Sequence, residues 1–175
     1  MTFLRRRFLF SVLCSLFSVF CFSGCASYRL GTGSTLKFST LYIAPITSEA
    51  LIPQAQALVT TQLRAAFIRD GRVTLVDSAA AADAVLNVTL TTYSRSVAVS
   101  RPDDTGLARR FDVTLQAKAT LTDNRTKQPY FSARPLDAKR GVFTDSGLVP
   151  SEYQALPLLA ELLASEAVHA VLDTW

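Results

Sequence analysis

From Phe111 to Leu121 every second residue is apolar: Phe111, Val113, Leu115, Ala117, Ala119 and Leu121 alternate with Asp112, Thr114, Gln116, Lys118 and Thr120, and Thr122 follows. A period of two puts the two sets on opposite faces of a strand, one dry and one wet, and predicts a strand over residues 109–122. A second long β-type run covers 85–101. Between them, Pro102-Asp103-Asp104-Thr105-Gly106 is turn chemistry. The pair is expected to form a long hairpin with a projecting tip. Residues 130–143 read as a weaker strand, and Pro135 within it suits a sheet edge because proline has no N–H for a ladder. Upstream, the β-branched and aromatic run FSTLYIAPI (38–46) reads as a first strand ending near Pro45. Residues 72–76 read as another short strand, 79–83 as a small helical turn, and Asp123-Asn124-Arg125-Thr126 as a turn.

Elsewhere the period changes to that of a helix. Pro53 opens a pattern in which Ala55, Leu58, Val59, Leu63, Ala66 and Phe67 fall at spacings of three and four. Arg69-Asp70-Gly71 closes it, with Gly71 as the C-cap. Near the C-terminus Leu156, Leu159, Ala160, Leu163, Ala167, Ala170 and Val171 share one helical face. Ser151 and Gln154 suggest a capping box, but Pro157 would then fall inside the helix. The regular helix is therefore expected to start at Pro157. The expected fold is α+β: a two-layer sandwich of one mainly antiparallel sheet of about four strands with both helices on its apolar face.

The N-terminus follows neither period. Arg5, Arg6 and Arg7 precede an apolar run from Phe8 to Phe22, the charge-then-hydrophobe order of an export signal. At about 15 residues the run is shorter than the roughly 20 that cross a bilayer as a helix. Phe22-Ser23-Gly24-Cys25 then resembles the lipobox of bacterial lipoproteins, although Phe22 stands where Leu is usual. The expectation is a signal peptide over 1–24, a lipidated Cys25 carrying N-acyl diacylglycerol, a Ser-, Thr- and Gly-punctuated tether over 25–37, and a single domain over 38–175. Ala26, in place of an Asp, implies by the same resemblance an outer-membrane address. Cys14 and Cys21 lie in the signal, so Cys25 is the one cysteine of the mature chain and no intrachain disulfide is expected.

Removing the signal also removes most of the charge surplus. The whole chain is formally +4, but three of its eighteen Lys and Arg precede Gly24 and none of its fourteen Asp and Glu do, which leaves a formal +1. A nucleic-acid partner is not expected from so balanced a chain. Catalytic candidates are few. The sole histidine, His169, sits among alanines and valines late in the last helix and reads as a helical surface residue. Asp103 and Asp104 read as turn residues, and the mature chain has neither zinc-ligand spacing nor a Gly-rich phosphate loop. Neither an enzyme, a metal nor a cofactor beyond the lipid is expected. Binding chemistry remains: Arg95, Arg101, Arg109 and Arg110 lie toward the far ends of the hairpin strands, and guanidinium forks suit phosphate and carboxylate.

In order along the mature chain stand Cys25 with Tyr28-Arg29-Leu30-Gly31, then Leu41-Tyr42-Ile43-Ala44-Pro45, then Asp70-Gly71-Arg72-Val73-Thr74-Leu75-Val76-Asp77. Ala82-Asp83-Ala84-Val85-Leu86, the Thr-rich strand ending Tyr93-Ser94-Arg95, and Leu121-Thr122-Asp123 follow. This succession resembles the LptE family of lipopolysaccharide-assembly lipoproteins. The resemblance implies a small α+β domain that plugs the outer-membrane barrel LptD, assists its folding and receives lipopolysaccharide bound for the cell surface. The hairpin arginines would then meet lipid A phosphates or the barrel interior. Two other readings stand beside it: an auxiliary periplasmic lipoprotein of another lipid transporter, and a structural or adhesive outer-membrane lipoprotein.

Overall fold

The computed structural model describes residues 36–52, 54–99, 110–143 and 148–173. The elements are β1 (Thr40–Ile43), β2 (Thr47–Ser48), α1 (Ala55–Asp70), β3 (Thr74–Leu75), a 3₁₀ turn (Ala79–Ala81), β4 (Ala84–Val99), β5 (Arg110–Asp123), β6 (Pro129–Phe143) and α2 (Leu148–Leu172). The sheet order is β3-β1-β4-β5-β6, with β2 beside β4. The fold is α+β with two helices, as the periodicities predict.

The sheet differs from expectation in strand number and direction. It has six strands and is mixed, because β1 runs parallel to both β3 and β4, and β2 runs parallel to β4. The cause is α1: a chain that leaves β1 through a helix returns to the sheet end where it began, so β3 lies parallel to β1. The expected strand over 38–46 is β1 alone, which ends before Pro45, a residue with no N–H to give; β2, just beyond the expected range, then resumes along β4 in the same direction. On either side of the gap the Ala44 N–H donates to the Leu86 carbonyl (2.9 Å) and the Glu49 N–H to the Leu90 carbonyl (2.8 Å).

The long ladders β4–β5 and β5–β6 are antiparallel. Their inward residues Leu86, Val88, Leu90, Val113, Leu115, Ala117, Ala119, Leu121, Leu136 and Ala138 are buried. Against them pack Val59, Leu63 and Phe67 of α1 and Leu159, Leu163 and Val171 of α2, in one continuous core. Among the described residues no helix packs on the face bearing Thr114, Gln116, Lys118, Asp137 and Lys139, which stays half-buried to exposed. Gly71 ends α1 with φ +74°, its N–H donating to the Phe67 carbonyl at 3.1 Å, which is the left-handed cap expected of a glycine there.

Pro157 lies inside α2, not at its first turn. Its missing N–H leaves the Tyr153 carbonyl without a helical partner. Both residues lie on the exposed side of α2, and the helix continues through. The stretch Tyr153–Leu172 is long and apolar enough to cross a membrane, but more than half of it is buried against the rest of the domain, as in a core helix.

Candidate functional site

The far end of the hairpin, where Val99 pairs with Arg110, holds the described members of the arginine set. Arg95 and Arg110 are both there, while Arg101 and Arg109, with Asp103 and Asp104, lie outside the described residues. A β-bulge between Leu90 and Thr92 decides which way the β4 side chains point. Before it Leu86, Val88 and Leu90 face the helices; after it the parity inverts, and Arg95 stands opposite Val113, whose side chain is buried on the helix side. Arg110, three residues from Val113 on an unbroken stretch of β5, points to the other face. The structure brings the two arginines to one end of the sheet and sets them on opposite faces.

Each lies on an aromatic ring. The Arg95 guanidinium carbon is 5.5 Å from the Phe111 centroid, and that of Arg110 is 5.8 Å from the Phe143 centroid. Such contacts contribute about 0.5–1 kcal/mol at exposed sites and limit the rotamers sampled. Arg110 also crosses the backbone of Gly141, where an added Cβ would sit 2.8 Å from its Nε. A side chain at Gly141 would push the flexible guanidinium off this seat. Asp112 moderates this face: Lys139 Nζ lies 2.8 Å from one carboxylate oxygen and Arg110 Nη2 lies 3.8 Å from the other. The Lys139 hydrogen bond holds the Asp112 carboxyl below its usual range.

Sequence reasoning missed two cations. Arg140 stands opposite Val113 from the β6 side, so Arg95 and Arg140 flank Val113 on the helix-side face, while Arg110 and Lys139 share the open face. The adjacency of Lys139 and Arg140 in a strand was the available signal, since alternation sends neighbours to opposite faces.

His169 lies on the exposed side of α2, as expected. Its Nδ1 contacts Asp173, whose other oxygen accepts from Arg72 Nη1 at 2.6 Å. Arg72 also grips Asp70 through Nε (2.7 Å) and Nη2 (3.0 Å). The cluster ties the C-terminal ends of the two helices together. At the same end of the sheet, away from the hairpin tip, Asp83 closes the start of β1. One of its oxygens accepts the Ser39 N–H (3.0 Å), the Thr40 N–H (2.9 Å) and the Ser39 hydroxyl (2.9 Å), while the Asp83 N–H donates to Thr40 Oγ1 (2.8 Å). With Ala82 and Ala84 buried beside it, this explains the Ala-Asp-Ala segment physically. Asp123 makes the corresponding turn, accepting the Arg125 and Thr126 N–H groups and the Tyr130 hydroxyl.

These contacts fix a pH dependence. Asp83 is held well below the carboxylate range, first by the Ser39 and Thr40 N–H groups, and Asp123 is lowered first by that of Thr126. Asp70 and Asp173 are lowered first by hydrogen bonds from Arg72 and His169 respectively. Folded values below the unfolded reference of about 3.9 mean stability that is present above that pH and lost as pH falls through the folded values. The thermal midpoint should therefore drop below about pH 4, and Asp83→Asn should make that drop shallower. An unchanged slope in the variant would remove Asp83 from the account.

A family model described as LptE, lipopolysaccharide-assembly, matches residues 38–171. No curated protein matches the chain in sequence. Among solved structures, protein XCC0632 from Xanthomonas campestris is similar at TM-score 0.57 and 13% identity, covering 78% of this chain and 85% of its own. The hypothetical protein CT253 from Chlamydia trachomatis is similar at TM-score 0.55 and 13% identity, over 76% of this chain and 95% of that one. At such identities the structures speak for the fold alone. With the family model spanning both helices and every strand, the chain belongs to the LptE family of lipopolysaccharide-assembly proteins.

Proposed function

We propose that this protein is an outer-membrane lipoprotein, anchored through acylated Cys25 on the periplasmic side, that seats inside an LptD-type β-barrel and assists lipopolysaccharide transport to the cell surface. Family membership over residues 38–171 is the observation that carries this reading. The geometry supports it in two ways. The sheet face rich in Thr, Gln, Lys and Asp, on which no helix packs among the described residues, suits the polar lumen of a barrel. The cationic end of the hairpin suits anionic lipid phosphates. The work is surface contact, and no catalytic step is assigned: His169 is engaged in the ion cluster at the helix end.

Purification of the tagged full chain from gently solubilised membranes tests the reading. A large β-barrel protein should copurify, and the mature N-terminal peptide should begin at Cys25 and carry acyl chains by mass spectrometry. Recovery of inner-membrane transporter subunits, or of no barrel, would overturn the barrel assignment. An uncleaved or unmodified Cys25 would overturn the anchor.

A further inference from the structure

At the tip end of β6, Lys139, Gly141 and Phe143 share the open face, and opposite them on β5 stand Thr114, Asp112 and Arg110. Gly141 has no side chain, so a gap separates Lys139 from Phe143. Arg110, directly opposite Phe143, leans diagonally into it. Its Nε, Nη2 and Cζ lie 2.8, 2.9 and 3.2 Å from the point a Cβ at Gly141 would occupy, and its guanidinium carbon is 5.8 Å from the Phe143 centroid. Lys139 leans the other way, onto Asp112 at 2.8 Å.

The guanidinium is seated but not satisfied. Asp112 Oδ1 is 3.8 Å from Nη2, too far for a hydrogen bond, and among the described residues the group makes none. Arg72 shows the contrast: its fork is spent on Asp70 and Asp173 within the domain. The Arg110 side chain is 47% exposed. Because its Nε–Nη2 edge is turned to the Gly141 backbone, the planar geometry turns Nη1 away from it. A charged donor held against the strand with its outer side open is set for an acceptor outside the domain.

We propose that Gly141 is a positioning residue for Arg110: by lacking a side chain it lets the guanidinium tuck against β6 and present Nη1 to a carboxylate on the barrel wall. The partner rests on the barrel reading above, which suits the open face to the lumen. The geometry of the seat does not depend on that reading. Asp112 favours a carboxylate over a phosphate, since its negative charge beside Arg110 repels a singly charged group less than a doubly charged one. A side chain ordered before contact loses less freedom when the partner arrives.

Two measurements on the full mature chain test this. In ¹⁵N-labelled protein the Arg110 Nε–Hε signal, assigned by its loss in Arg110→Ala, should relax as a restricted group, and Gly141→Ala should free it. The thermal midpoint of Gly141→Ala should hold or rise, because Gly141 has no positive φ and glycine weakens a strand interior. Next, a tagged barrel is purified from cells expressing wild-type and variant chains equally, and mass spectrometry reads their ratio on it. Gly141→Ala should be depleted about three- to tenfold, the effect of ordering one long side chain, and Arg110→Ala about tenfold or more. The double variant should match Arg110→Ala, since Gly141 acts through the arginine. An Arg110 signal equally restricted in Gly141→Ala, equal recovery of Gly141→Ala and wild type, or a double variant depleted beyond Arg110→Ala would overturn the proposal. Equal recovery of Arg110→Ala would do the same while leaving the barrel reading intact. Absence of the wild-type chain from the barrel would overturn both, so the two failures are told apart.

Discussion

Phe67→Ala will destabilise the domain by about 3–5 kcal/mol. Phe67 is wholly buried, with 0% exposure, and sits on the face of α1 that meets the sheet and α2 in the single core. Truncation removes apolar contacts and leaves a void that close-packed neighbours fill only in part. Helix propensity does not offset this strongly, since Phe and Ala differ by about half a kcal/mol at most. Against a typical total of about 5–15 kcal/mol, the loss takes a third or more of the stability. Urea unfolding should show a lower midpoint with an unchanged slope, and the thermal midpoint should fall by roughly 10 °C. Ile68 is the internal control. It neighbours Phe67 but is 67% exposed, so Ile68→Ala should stay within about 0.5 kcal/mol. A Phe67→Ala cost near that of Ile68→Ala would mean α1 is not seated on the sheet as described.

Where local pattern alone sets structure, the sequence was legible. The alternation about Val113 and Leu115 located β5 to within a residue, and Gly71 marked the end of α1 by the need for a positive φ. What stayed hidden depends on remote partners. Nothing in Thr40–Ile43 says that it lies parallel to Ala84–Leu86, because that pairing follows from the path taken by α1. An interior proline costs a hydrogen bond, which favours Pro157 as a helix start in the sequence, and its place on the exposed side of α2 is set by packing the sequence does not show. The bulge at Thr91 has the same character: two adjacent threonines carry no apolar mark of a change in phase. As a result the separation of Arg95 and Arg110 onto two faces, at the one end of the sheet where both lie, could not be read from the sequence. Arg140 went unrecognised for a related reason, since its place beside Val113 is a matter of register.

Reversing the charge of Arg95, Arg101, Arg109 and Arg110 together should weaken lipopolysaccharide binding or barrel association by about tenfold or more, with little change in folding stability. Exposed ion pairs contribute about 0–1 kcal/mol each to folding. Among the described residues of the set, Arg110 has only a long pair with Asp112, at 3.8 Å and half exposed. Binding differs because the partner's charge is added: four positive groups become four negative ones facing phosphates or an acidic wall, and like charges brought together cost several kcal/mol. The opposite faces of Arg95 and Arg110 turn this into a directional test. Arg95→Glu with Arg140→Glu alters the helix-side face, while Arg110→Glu with Lys139→Glu alters the open face. If the open face lies against the barrel wall, the second pair should reduce copurification of the barrel and the first should leave it intact. The lipid-binding loss should then follow the first pair and weaken as salt is raised, since exposed charges are screened within about 10 Å at 0.1 M. Equal effects of the two pairs on both readouts would show that the tip acts as a diffuse positive end. No effect of the fourfold reversal on either readout would remove the arginines from function altogether.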